Sequence, residues 1–228
     1  MVKRITLAVL AALTVTLFCL ESIAIPPASS EPGWEKIKDA DGVVAYARNV
    51  PGSSVLAFKG EGLVDAPPVT VAWAFLDTER APEWIADLVS SSVVRWLSPN
   101  QYIEYNHLHT PFVMKDRDFV STVTLTMDRA TRQFTIAYGA TQDDVGAPRT
   151  DFVRGEIKNS RFVLTPVDGG RRTHLVAEVH CDPMGSVPKW IVNFFQRSWP
   201  IDTFYGLRRQ VAKSDLKEPP PHIKALFE

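Results

Sequence analysis

Apolar and polar residues alternate along most of the middle of the chain, a pattern typical of antiparallel strands with one buried face. The clearest example has Phe119, Val123 and Leu125 on one face and threonines on the other. The predicted strands are Val43 to Arg48, Val55 to Val64, Val89 to Leu97, Gln101 to His109, Arg117 to Met127, Gln133 to Gly139, Asp151 to Ile157, Arg161 to Val167 and Arg172 to Cys181. Strands of this kind predict a sheet that is covered on one side.

Two turn signals link neighbouring strands. Pro51-Gly52 separates the first pair of predicted strands, and Asp168-Gly169-Gly170 separates the last pair. Proline and glycine at such positions favour tight turns, so each signal predicts a β-hairpin.

The spacing of apolar residues changes to that of a helix after Pro67-Pro68. This helix is expected to end before the break that begins at Asp77, and a second, short helix is expected from Pro82. The chain therefore places two helices before its main run of strands.

A long C-terminal helix is predicted from Val187 to about Lys213. Ser186 is a candidate capping residue, and Pro188 suits the first turn because its missing N–H costs nothing there. Pro200 removes a backbone hydrogen bond from the helix interior, so a bend or break is expected near it. The order of elements predicts an α+β fold, with this helix covering the sheet.

The first 24 residues have the features of an export signal. Two basic residues precede an uncharged run from Ile5 to Leu20, and small residues follow up to Ala24. Retention of this segment as a membrane anchor and lipid attachment at Cys19 are the alternatives. We expect the protein to be exported to the periplasm or secreted.

Net charge and cysteine content argue against nucleic-acid binding and against an internal disulfide. Cleavage after Ala24 would change the formal net charge from -1 to -2, because two basic residues and one acidic residue are lost. A nearly neutral chain without a basic stripe is not expected to bind nucleic acid. Cleavage would also leave Cys181 as the sole cysteine, so no disulfide is expected within the chain.

The length and the absence of repeats predict one main domain. Its predicted bounds are residues 34–214, after a signal peptide at 1–24 and a flexible linker at 25–33. Residues 215–228 contain Pro219-Pro220-Pro221 and are expected to form a C-terminal tail.

A family resemblance is spread over nearly all of residues 34–213. The residues that carry it are Trp34, Asp41-Gly42-Val43, Leu76-Asp77 followed by Trp84, Arg117-Asp118-Phe119-Val120, and Asp182-Pro183 through Ile191-Val192-Asn193. No single piece is specific, but together and in this order they resemble a START (StAR-related lipid transfer) domain.

The resemblance implies a helix-grip fold, in which a curved antiparallel sheet wraps around the C-terminal helix and leaves an internal hydrophobic tunnel. Members of this family bind one sterol, phospholipid, sphingolipid or other apolar molecule. The helix residues expected to line or close the tunnel are Ile191, Phe194, Phe195, Ser198, Ile201 and Tyr205. Ordinary core packing is the alternative for each of them.

The segment from His109 to Asp116 resembles the family's mobile loop beside the tunnel mouth. It places Phe112 and Met114 at a predicted loop tip. Exposed apolar residues at such a tip could dip into a membrane or fold back as a lid. We therefore expect transient contact of a monomer with a membrane surface.

In cholesterol-binding relatives, an acidic residue and an arginine form a buried pair in the tunnel. Matching the strands places Glu104 at the acidic position, but the arginine position falls on Val123. With Phe119, these residues are the strand candidates for ligand binding. Arg117 and Asp118 are expected to pair with each other as a structural feature.

The sequence offers little for catalysis. His107 and His109 share one strand face, and His174, Glu178 and His180 share another, but surface residues are the favoured interpretation of both groups. Cys181 is expected to pack rather than react. We predict no catalytic residues, no metal and no cofactor.

Three function classes remain open. A non-catalytic carrier or sensor of an apolar ligand outside the cytoplasm is the preferred one. A helix-grip enzyme of the cyclase or hydrolase type that uses the same cavity is the second, and an envelope interaction module without a ligand is the third.

Overall fold

A computed structural model describes residues 32–110 and 114–228, apart from the side chain of Phe195. The predicted export signal at 1–24 and nearly all of the predicted linker lie outside the described residues. Within the described ranges, none of the helices combines the length and the apolar character that crossing a bilayer requires.

The described chain contains twelve strands, four α-helices and two short 3-10 helices. The strands are β1 (Glu35–Ala40), β2 (Val43–Arg48), β3 (Ala57–Val64), β4 (Leu88–Ser98), β5 (Gln101–Leu108), β6 (Arg117–Asp128), β7 (Gln133–Ala140), β8 (Val153–Arg154), β9 (Glu156–Ile157), β10 (Asn159–Val167), β11 (Arg172–Val179) and β12 (Cys181–Asp182). The helices are α1 (Pro68–Leu76), α2 (Lys189–Gln196), α3 (Trp199–Val211) and α4 (Pro221–Lys224), with 3-10 turns at Ala81–Glu83 and Asp168–Gly170.

One large sheet dominates the molecule. Its strands follow the order β1-β2-β3-β11-β10-β7-β6-β5-β4, and all neighbours along this path are antiparallel. β8 pairs in parallel with β6, and β9 pairs with β12 in a separate two-stranded sheet. The predicted α+β architecture with an antiparallel sheet is confirmed.

Both predicted hairpins form. β2 and β3 pair from Val43 opposite Gly62 to Arg48 opposite Ala57, and β10 and β11 pair on either side of the turn at Asp168–Gly170. Sequence patterning missed β1, whose residues are mostly charged and exposed. Charge is a common feature of edge strands because it discourages pairing with another chain.

The C-terminal helix is divided in two, as Pro200 predicted. α2 ends at Gln196, and Pro200 lies in the first turn of α3. The predicted cap is wrong: Ser186 is exposed, α2 begins at Lys189, and no side chain caps its first turn. Asp182 instead links the segment before α2 to the first residue of the helix. Its Oδ1 accepts hydrogen bonds from Lys189 Nζ at 2.7 Å and from the Met184 amide at 2.9 Å.

α3 lies very close to β3 because two strand residues are glycines. A Cβ at Gly60 would lie 3.0 Å from the Pro200 side chain, and one at Gly62 would lie 3.1 Å from the Phe204 ring. Phe204 and Leu207 of α3 are fully buried in the core. α3 is therefore the anchored half of the C-terminal helix pair.

The expected C-terminal tail instead packs against the domain. It contains α4, where Ile223 is only 2% exposed, and the Phe227 ring lies 4.5 Å from the ring of Phe134 on β7. The proline run starts a short helix rather than preventing structure, since proline is tolerated in the first helical turn.

Candidate functional site

A cavity of about 460 Å³ lies between α2, the start of α3 and the inner face of the sheet. The segment from Ala81 to Leu88 completes its wall. Most of the lining is apolar, and the rings of Trp84, Phe119 and Phe162 contribute to it. A chamber of this kind suits a small apolar molecule or the apolar part of a larger one.

Five of the residues that the sequence singled out line this cavity. They are Glu104, Met114, Phe119, Ile191 and Ser198. Strand pairing explains part of the set, because β5 and β6 are neighbours and pair Glu104 with Ser121 and Asn106 with Phe119. Alternation then directs these side chains to the same face of the sheet.

Four other predicted residues do not line the cavity. Val123 and Ile201 are 0% and 2% exposed because they pack in the main hydrophobic core. Phe194 is 67% exposed to solvent and does not border the cavity. Tyr205 is 41% exposed, and its hydroxyl donates a hydrogen bond to Asp41.

Two predicted residues cannot be assigned to the cavity. Phe112 lies outside the described residues, and so does the side chain of Phe195. Sequence reasoning also missed several lining residues on the sheet, including Arg117, Tyr138 and Phe162. Their alternating positions indicated a shared face, but not that this face would border an open space.

Glu104 is the most perturbed carboxyl in the cavity wall. It is 4% exposed, and its Oε1 accepts a hydrogen bond from Asn106 Nδ2 at 2.7 Å. Burial raises the pKa of Glu104 to about 7, although Asn106 and the nearby Tyr102 hydroxyl oppose the increase. Among the described residues, no basic side chain forms an ion pair with it, consistent with Val123 at the expected arginine position.

Arg117 and Asp118 do not pair with each other as expected, because successive strand residues point to opposite faces. Asp118 is 1% exposed and accepts hydrogen bonds from Arg154 Nε at 2.7 Å and Thr150 Oγ1 at 2.8 Å. Arg117 is buried on the cavity side, where its Nη1 donates to the Lys115 carbonyl at 2.6 Å. Both have structural contacts, but with different partners.

Of the four histidines that the sequence singled out, His174 and His180 are buried and His107 is half-buried, whereas His109 is exposed as expected. The Asp116 carboxylate hydrogen-bonds both His107 and His109: its Oδ2 lies 2.8 Å from His107 Nε2, and its Oδ1 lies 3.2 Å from His109 Nδ1. His174 lies 3.0 Å from Glu61, and His180 lies 3.0 Å from the Ser53 hydroxyl. The described residues contain no cluster of three or more His, Cys, Asp or Glu side chains able to hold a metal ion.

α2 separates the cavity from the outside. Ile191 and Val192 line the cavity, whereas Trp190 is 72% exposed and Phe194 is 67% exposed. Hydrogen bonds fasten the helix at the side, with Asn193 Oδ1 accepting from the Leu56 amide at 3.0 Å. The helix is therefore apolar on both faces, with large aromatic side chains in solvent.

Cys181 lies at the same wall. Its carbonyl accepts a hydrogen bond from Gln196 of α2 at 3.2 Å, and its side chain borders the cavity. Burial raises the pKa of its thiol to about 12. The thiol is therefore held in its protonated, unreactive form.

Comparison with known proteins shows which family the chain resembles. The START domain family model matches residues 24–214. An uncharacterized protein of Pseudomonas aeruginosa is 27% identical over 184 residues, which are 79% of this chain and 87% of the relative.

Solved structures agree with the family match. A STAR-related lipid transfer protein from Xanthomonas axonopodis is 26% identical, with a TM-score of 0.70 over 79% of this chain and 99% of that one. Human STARD10 shares the fold at 19% identity, with a TM-score of 0.73 over 86% of this chain and 83% of that one. The expected helix-grip fold is confirmed, and the chain belongs to the START domain family, which implies binding of a lipid or other apolar ligand.

Proposed function

We propose that this protein binds a lipid or other apolar molecule in the cavity and carries it, chemically unchanged, outside the cytoplasm. The observation that supports this most directly is the apolar cavity of about 460 Å³ between α2 and the sheet. Each methylene removed from water contributes about 0.8 kcal/mol, so enclosure strongly favours an apolar guest. The export features of residues 1–24 support the location.

Transient contact with a membrane surface is part of the proposal. Trp190 and Phe194 lie one helical turn apart on the outer face of α2, and Val192 on the opposite face borders the cavity. Exposed aromatic side chains of this size favour the interface of a bilayer. The exposed Arg197 at the end of the same helix adds attraction to anionic lipids.

Native mass spectrometry of the exported protein tests ligand binding. We expect the protein to retain an apolar molecule, which is then extracted and identified. Incubation with lipid vesicles should load any empty protein, and the recovered lipid should be the one supplied. Repeated preparations that carry no lipid and accept none from vesicles would overturn the proposal, and a modified lipid would indicate an enzyme.

A transfer assay between donor and acceptor vesicles tests membrane contact. Replacing Trp190 and Phe194 together by serine should slow transfer at least tenfold while leaving the affinity for a soluble apolar probe unchanged, because neither side chain borders the cavity. Val145→Ser is a matched control, since Val145 is 69% exposed on another surface. Equal transfer rates for all three proteins would rule out docking through α2.

A further inference from the structure

Among the described residues, one arginine and no lysine border the apolar cavity. Arg117 is the first residue of β6, lines the cavity and is only 6% exposed. Alternate residues of a strand share a face, so its side chain lies on the same face as Phe119, which also lines the cavity. Because an arginine keeps its proton in a protein, the wall of this chamber carries a full positive charge.

Within the described ranges, Arg117 forms no ion pair with a carboxylate. The acidic residues of the neighbouring segments have other partners: Asp116 is hydrogen-bonded to two histidines, Asp118 pairs with an arginine of β8, and Asp182 pairs with a lysine of α2. A buried charge without a counter-charge is costly. The uncompensated Arg117 therefore indicates an anion that comes from the ligand.

Most of the hydrogen-bonding capacity of Arg117 is unused. Of its five N–H donors, one on Nη1 binds the Lys115 carbonyl at 2.6 Å, and the one on Nε reaches the Pro183 carbonyl at 3.5 Å. Both hydrogens of Nη2 lack an acceptor among the described residues, and Nη2, unlike Glu104 Oε2, is not sealed inside the protein. The planar fork of a guanidinium suits a carboxylate or a phosphate, each of which accepts two parallel bonds.

Arg117 lies at an end of the cavity that is close to the surface. A Cβ at the exposed Gly185 would lie only 3.6 Å from its Nη2, and its partner on β5, Leu108, precedes the exposed His109. Glu104 lies four residues before Leu108, which corresponds to about 13 Å along the strand, and it is 4% exposed. The cavity therefore has a cationic end near solvent and a deeper, buried end.

We infer that Arg117 binds the carboxylate or phosphate of an anionic amphiphile whose apolar part fills the cavity. The anion then lies at the end near the surface, where water reaches its remaining oxygens, and the apolar part extends toward the buried end. An uncharged apolar molecule leaves the guanidinium without a partner and binds less tightly. This inference rests on the proposed function, because it names the class of molecule that the same cavity accepts.

Two fluorescent probes that differ only at one end test this subsite: 1-pyrenebutyric acid and its methyl ester. At pH 7.5 the acid is ionised and the ester is uncharged. Titrated without vesicles, the exported protein should bind the acid at least tenfold more tightly than the ester, because hydrogen bonds to charged groups contribute more than those between neutral ones. A tenfold preference corresponds to about 1.4 kcal/mol.

Variants at Arg117 separate charge from shape. Arg117→Met removes the cation and keeps a long apolar stem, so it should abolish the preference for the acid while the affinity for the ester changes less than twofold. Arg117→Lys keeps the charge without the fork and should retain a reduced preference. Arg171→Met is the matched control and should behave as the wild type, because Arg171 is exposed in the turn after β10 and does not border the cavity.

Competition distinguishes an amphiphile from a free anion. Dodecanoate should displace bound 1-pyrenebutyric acid, and the same concentration of inorganic phosphate should displace at most a tenth as much, because phosphate leaves the apolar space unfilled. Equal displacement by the two would show that Arg117 binds anions regardless of their apolar part, which overturns the inference. Since no bilayer is present, the headgroups of a membrane cannot account for the preference.

The remaining outcomes separate the inference from the proposed function. Equal affinities of the wild type for the acid and the ester overturn the inference and leave the proposed function standing. A preference for the acid that persists in Arg117→Met also overturns it, because another group then holds the anion. If Arg117→Met loses the ester as well, Arg117→Gln, which still presents N–H donors, replaces it in the same comparison. Failure of both probes to bind the wild type would contradict the proposed function itself.

Discussion

Ionisation of Glu104 is expected to destabilise the folded protein. Its pKa rises from the ordinary 4.5 to about 7 on folding because burial disfavours the charge. Between these values the folded protein binds a proton that the unfolded chain has lost, so stability falls as the pH rises. Each unit of pKa corresponds to about 1.4 kcal/mol, so the full loss is about 3 kcal/mol.

Urea unfolding followed by tryptophan fluorescence at pH 5 and pH 8 measures this loss. Glu104→Gln removes the titrating group while keeping the shape of the side chain. The free energy of unfolding of the wild type should fall by about 2–3 kcal/mol relative to Glu104→Gln between the two pH values, because a part of the full loss has already occurred at pH 5.

The result that refutes the reasoning is a constant difference between the wild type and Glu104→Gln at pH 5 and pH 8. Glu104 would then have nearly the same pKa in the folded and unfolded chains, which requires water or a counter-charge at its Oε2. A difference that changes with the opposite sign would mean that folding stabilises the ionised carboxylate.

Two further predictions concern packing and reactivity. Gly206→Ala should lower the free energy of unfolding by about 1–3 kcal/mol, because its Cβ would lie 2.1 Å from the Trp84 carbonyl oxygen, whereas Gly139→Ala, with nothing within 4 Å, serves as control. Urea unfolding of both variants checks this, and equal stability would contradict it. Because the pKa of its thiol is about 12, Cys181 in a Cys19→Ser protein should react with iodoacetamide at pH 7 at least 100-fold more slowly when folded than in urea. Equal rates would show that the thiol is accessible and ionisable.

Local chemistry was enough to predict most of the fold. Pro200 required a break because a proline has no N–H to donate within a helix, and the structure places the break there. The turn at Asp168–Gly170 is confirmed for the same kind of reason, since Gly169 adopts a φ of 68°. At such positions the residue type itself restricts or permits the backbone conformation, so the structure follows from a few neighbouring residues.

Which apolar residues face the cavity could not be predicted in the same way. Ile191 and Ile201 are both apolar residues of the C-terminal helices, yet the first borders the cavity and the second is 2% exposed in the core. The difference depends on where α2 and α3 lie relative to the sheet. The sequence of the two helices does not indicate how far each lies from the sheet.

The polar residues of the site were more informative. Glu104 stands between Tyr102, Ile103 and Tyr105 in β5, so a buried carboxyl was predictable from the sequence alone. Asn106, two residues later, necessarily lies on the same face and could have been identified as its partner. Tyr138 could not, because its approach to Glu104 depends on the pairing of three strands.

The division of the C-terminal helix has a consequence for engineering this protein. α3 is fixed against β3 by the close approach at Gly60 and Gly62, whereas α2 closes the cavity and can be altered separately. Substitutions at Ile191 could therefore reshape the chamber for a chosen dye or drug while α3 preserves the domain. The same scaffold could then serve as a family of sensors that differ in one short helix.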